Sequence, residues 1–158
     1  MSETMAEQSA PRARSATAPF VACLLAWLLP GLGHLFLGKK GRAAVFFLVV
    51  AAAFGLGIAS DGAASVVEEQ QPLTFLATFD NLALGPFDLI GRYLTYGSIV
   101  YALPREEGDP RRNELVERQR TRVRSVTYEY GNTFLLTAGL MNLLLILDAF
   151  DIATGRKA

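Results

Sequence analysis

Among its 158 residues the chain has one cysteine, Cys23, and one histidine, His34. A single cysteine excludes an internal disulfide and any cysteine-cluster metal site. Cys23 lies inside an apolar run, where a thiol's pKa rises and its reactivity falls, so it reads as inert packing. A zinc site needs three or four ligands, and beyond His34 the only candidates are carboxylates in distant segments. No metal and no other cofactor is expected. Net charge is missing too, since 15 basic and 15 acidic residues cancel, leaving no global field to attract nucleic acid. There is no Ser-His-Asp set and no phosphate loop. Gly31-Leu32-Gly33-His34-Leu35-Phe36 lacks the third glycine and the preceding strand of a dinucleotide fingerprint. No internal repeat is found. These absences point away from catalysis, and no enzyme is expected.

What is present is apolar mass, 51% of the chain, laid out in blocks with the charges between them. Residues 19–60 hold two apolar runs, about 19–37 and 43–60, separated by the basic turn Gly38-Lys39-Lys40-Gly41-Arg42. A bilayer core about 30 Å thick takes about 20 apolar helical residues, so the pair reads as a membrane hairpin. The leader, residues 1–18, is small and polar and reads as disordered. The second run follows the first with no small-residue cleavage site between them, so the opening reads as an uncleaved segment. Pro19 suits a first helical turn. Pro30-Gly31-Leu32-Gly33 must kink or break the first helix, and the freed backbone groups then need protein or water. Either a kinked full span or a re-entrant helix-turn-helix meets that need.

Residues 61–80 carry Asp61, Glu68, Glu69 and Asp80 with no Lys or Arg, and read as an exposed loop. A third span is expected over 84–103, interrupted by Gly85-Pro86, Asp88 and Arg92. The two charges stand four apart with the acid first, so they can pair on one helix face. The other reading of this stretch is an interfacial segment rich in Tyr93, Tyr96 and Tyr101. Residues 105–124 hold seven arginines and five acids. Asp109-Pro110 looks like an N-cap with proline after it, opening a polar amphipathic segment over 109–130 along the membrane surface. The last span is expected over 131–150, where Asn132, Gly139, Asn142 and Ala149 share one broad face. The positive-inside rule predicts that Lys39, Lys40 and Arg42 share the cytoplasmic side with the arginine cluster, and that residues 61–80 lie opposite. Asp148 and Asp151, three apart, share a helical face at the close of the last span.

The stretch Pro30-Gly31-Leu32-Gly33-His34-Leu35-Phe36-Leu37-Gly38 followed by Gly41-Arg42 resembles the hairpin signature of bacterial two-transmembrane-helix domain proteins. The close, Gly139-Leu140-Met141-Asn142-Leu143-Leu144-Leu145-Ile146-Leu147-Asp148-Ala149, is similar to an uncharacterised bacterial membrane family of the domain-of-unknown-function kind. That resemblance implies an integral membrane protein of the bacterial cytoplasmic membrane with no catalytic residue to carry over.

The expected fold is all-α, a polytopic membrane protein with three to four transmembrane helices, a broken first helix and a single membrane domain over 19–158. Its expected role is structural or interactive. The lipid bilayer, and another copy or another membrane protein, are the expected partners. The rival reading is a small transport or proton-translocating subunit. Its candidate polar residues are His34, Asp88, Arg92, Asn142 and Asp148, and it requires them to converge on one internal cavity.

Overall fold

The computed structural model describes residues 17–106 and 108–157. The leader expected over 1–18 falls outside the described residues except for its last two. Seven helices and no strand occur among the described residues. An isolated bridge joins Val67 to Ala102.

Two of the helices are long, because their sequences stay apolar without a proline. They are α3, Lys40–Ala59, and α7, Tyr128–Ala153, with mean hydropathies of 2.1 and 1.9 over their most apolar windows. Each is long and apolar enough to cross a membrane. They run antiparallel. At one end Gly57 of α3 packs so closely that a Cβ there would meet Leu135 of α7 at 2.8 Å and the Gly131 carbonyl at 3.1 Å. At the other end His34 lies edge-on to Phe46 of α3 and beside Asp148 of α7.

Two shorter helical hairpins fill the sides. In the first, α1 (Ala18–Leu28) ends at Leu29-Pro30, the chain turns through Gly31 at φ +85°, and α2 (Leu32–Phe36) returns. Glycine lets this hairpin close, since a Cβ on Gly33 would lie 2.4 Å from the Ala22 carbonyl oxygen. Ala22 and Ala26 of α1 pack with Ala149 and Ala153 of α7, so small side chains set the contact. In the second, α4 (Pro72–Leu82) and α5 (Pro86–Tyr96) are joined by a turn through Gly85 at φ +61°. Both helices open on proline, which costs no hydrogen bond in a first turn.

The hairpins come from opposite ends of α7 and their tips touch. Trp27 Nε1 donates to the Leu82 carbonyl at 3.0 Å, and a Cβ on Gly85 would lie 2.1 Å from the Trp27 carbonyl oxygen. The meeting point is beside Asn142, near the middle of α7. The end where α3 finishes is covered by α6 (Pro110–Val123), capped by the Asp109 carboxylate accepting from the Arg111 N–H at 2.8 Å. Arg122 of α6 donates to the Gly62 and Leu94 carbonyls at 3.0 and 2.9 Å.

Several expectations are corrected here. Two helices, not three to four, are long and apolar enough to span. The expected span 84–103 is instead a helix break, the eleven-residue α5 and a loop, because Gly85 and Gly97 (φ +71°) both take left-handed backbone that ends a helix. The first run, 19–37, breaks into a helix-turn-helix, the shape that the second of its two alternatives calls for. Residues 72–80, read as loop, belong to α4, and Asp80 is buried. The Lys39-Lys40 turn and the arginine segment lie at opposite ends of α3, since no third span lies between Ser60 and Tyr128.

Candidate functional site

The buried polar groups fall into three sets. The largest is built on α5. Asp88 and Arg92 have fully buried side chains, with Arg92 Nε donating to Asp88 Oδ2 at 2.9 Å. One turn of helix places them on the same face, and the face turns inward. Arg92 Nη1 also donates to the carbonyls of Ser65 and Val100, and its guanidinium lies 3.9 Å from the centre of the Tyr101 ring. One side chain thus holds the loops on either side of its hairpin. Tyr96 donates to the Ala64 carbonyl at 2.7 Å.

The second set lies between α4 and α7. Asn142 is fully buried and its Nδ2 donates to the Ala83 carbonyl at 2.7 Å, satisfying a carbonyl freed where α4 stops. Asp80 packs against Gly139, where a Cβ would meet its Oδ2 at 2.3 Å. Among the described residues neither Asp80 carboxylate oxygen has a hydrogen-bond partner, nor do Thr78 Oγ1 and Asn81 Oδ1.

The third set is at the far end of α7. His34 Nε2 lies 2.9 Å from Asp148 Oδ2 across 114 residues of chain, and Lys157 Nζ contacts the other carboxylate oxygen. His34 is fully buried. Asp151 faces Arg156 at 3.9 Å and does not join Asp148 in a paired-carboxylate site.

The five candidates are therefore distributed: Asp88 with Arg92, His34 with Asp148, and Asn142 at the hairpin tip, in three separate contacts among the described residues. A void of about 10 Å³ touches Asn81 and Asp88, and neither His34, Arg92, Asn142 nor Asp148 lines it. Among the described residues no three His, Cys, Asp or Glu side chains are grouped to hold a metal. Thr78 and Asn81 escaped notice in the sequence, and Asp80 was expected only as part of an exposed loop. In α4 Leu73, Leu76 and Phe79 are exposed while Thr78, Asp80 and Asn81 are buried, an inversion with no signal in the sequence. Cys23 is half-buried, its Sγ 3.7 Å from the Ile146 carbonyl.

A family model described as a family of unknown function (DUF6677) matches residues 21–158. No curated protein and no solved structure matches the chain. The likeness of the opening hairpin to two-transmembrane-helix domain proteins has no counterpart in these comparisons.

Proposed function

Starting from a chain that belongs to the DUF6677 family, we propose a multi-pass integral membrane protein of the bacterial cytoplasmic membrane with a structural or interaction role and no catalysis. In this reading α3 and α7 cross the bilayer. The hairpins α1–α2 and α4–α5 enter from opposite faces, meet at mid-depth and return, so residues 19–158 act as one membrane domain. The observation that carries the reading is where the side chains face. Leu48, Leu73, Leu144 and Phe20 are between 64 and 76% exposed, whereas His34, Arg92 and Asn142 are fully buried. Only 22 and 33% of the apolar windows of α3 and α7 is buried, while the core helix of a water-soluble domain is mostly covered. In water such a surface associates or aggregates; in lipid it is the ordinary exterior, and the buried polar groups satisfy the backbone at the breaks.

The transport reading is less well supported. It needs its polar residues on one path, and they occupy separate contacts. The tips of the hairpins, where a path would cross, are closed by Gly85 against Trp27. The partners that suit the exposed apolar faces are the bilayer and a second copy or another membrane protein, not nucleic acid. The arginine end is taken as cytoplasmic, because residues 105–124 gather seven arginines in one connecting stretch, the densest basic segment of the chain.

Fusions of a reporter active only outside the cytoplasm test this arrangement. Those after Gly62 and after Arg112 are expected to be silent, and one after Arg156 active. Opposite behaviour of the Gly62 and Arg112 fusions restores a span over 84–103 and overturns the paired-hairpin reading. Release of the intact protein from membranes by alkaline carbonate overturns the integral placement altogether.

A further inference from the structure

Beside the break in the first hairpin is an open groove of about 250 Å³. Leu29, Leu32 and Leu35 form one wall, Ala44 and Phe47 of α3 the other, and Lys40 stands at the rim. The groove follows from the sequence. Pro30 and Gly31 end α1 early, and Gly31 is drawn in until a Cβ would lie 2.4 Å from the Ala43 carbonyl oxygen. Beside that contact Leu29, Leu32 and Leu35 face Ala44 and Phe47 across a gap that alanine at 44 does not fill.

Charge separates this end of the molecule from the other. At the arginine end Arg105, Arg112, Arg118 and Arg120 stand against Glu69, Glu68, Glu114 and Glu117. Near the groove, Asp148 is occupied by His34 and Lys157, and Asp151 by Arg156. Lys39 and Lys40 have no carboxylate partner among the described residues, and no acid lines the groove. Lys40 also opens the first turn of α3, which has no side-chain cap, so the positive end of a twenty-residue helix lies at the same rim.

An apolar trough with an unpaired cation at its mouth is complementary to an amphiphile with one apolar tail and an anionic head. Resting on the membrane reading above, we propose that this groove holds an acyl chain of an anionic phospholipid with the lipid phosphate against Lys40. The apolar walls alone would take a chain from any lipid; Lys40 supplies the choice of head group.

The test uses the full chain purified in mild detergent, with phosphatidylglycerol and phosphatidylcholine of matched chains in competition and native mass spectrometry counting the lipid retained. Phosphatidylglycerol is expected to be favoured, and Lys40→Gln to reduce that preference about fivefold, the effect of one basic residue near a charged membrane surface. Lys40 is exposed, so this variant does not threaten folding. Ala44→Phe, which fills the groove, is expected to lower retention of both lipids. The double variant Arg120→Gln, Arg124→Gln at the opposite end is expected to leave the preference in place. A preference unchanged by Lys40→Gln, or lost instead in the Arg120/Arg124 variant, overturns the site. Carbonate resistance measured on the same membranes before extraction keeps that failure distinct from a failure of the membrane placement.

Discussion

The two hairpins solve the same problem by different chemistry. Each stops a helix in mid-protein, where freed carbonyls and amides find no water. The first does so with small residues: Gly33 admits the Ala22 carbonyl, and four alanines let α1 lie close against α7. The second uses polar side chains: Arg92 holds two loop carbonyls, Asn142 a third, and Tyr96 a fourth. Close packing and interhelical hydrogen bonds are the two forces left to helices in lipid, where apolar burial gains nothing. The first hairpin should therefore be sensitive to added volume, and the second to lost donors.

The largest effect is expected in the second hairpin. Arg92→Leu strands a buried carboxylate and two carbonyls, and should cost about 3–5 kcal/mol in detergent-unfolding experiments. The double change with Asp88→Leu should cost less than the sum of the two singles, because no unpaired carboxylate remains. Simple additivity would show that the pair is not mutually neutralising. Next comes Gly33→Ala in the first hairpin, about 1–3 kcal/mol from overpacking against Ala22 and Ala26. Its control is Gly41→Ala, where a Cβ meets nothing within 4 Å and stability should hold. Equal effects of the two would remove the distinction between the hairpins. Smallest is Asn142→Leu, about 0.6 kcal/mol and at most about 1.7, the average and the upper end for single hydrogen bonds within membranes. It should still exceed Leu144→Ala, since Leu144 is 64% exposed. A larger loss for Leu144→Ala would place the packing face of α7 on its leucines.

The sequence made some of this legible. Unbroken apolar length marked α3 and α7, and spacing alone marked the Asp88/Arg92 pair and the Asp109 cap. The face of α7 carrying Asn132, Gly139, Asn142 and Ala149 could be drawn from helical geometry, and in the structure it meets its neighbours: Asn132 Oδ1 accepts from the Ala63 N–H at 3.0 Å, and Gly139 receives Asp80. What failed was the count of spans. The eleven-residue α5 and the apolar loop after it together have the apolar length of one span, so 84–103 read as a single crossing. The partnership of His34 with Asp148 had no local signal either, because 114 residues separate them. Asp80 was assigned to solvent with its acidic neighbours, because its burial depends on Gly139 of α7, far away in the chain.

The position of α7 in the chain governs the order in which this protein can be completed. The ribosome delivers α1, α2, α3 and α4 before the helix against which all of them pack. Until α7 follows, Ala22 and Ala26 lack their facing alanines, the carbonyl at Ala83 lacks Asn142, and His34 lacks Asp148. A nascent chain paused before Tyr128 therefore exposes unsatisfied hairpin tips. Assembly is expected to be late and nearly all-or-none, with the hairpins acquiring protection from proteolysis together when α7 arrives rather than one after another as they are made.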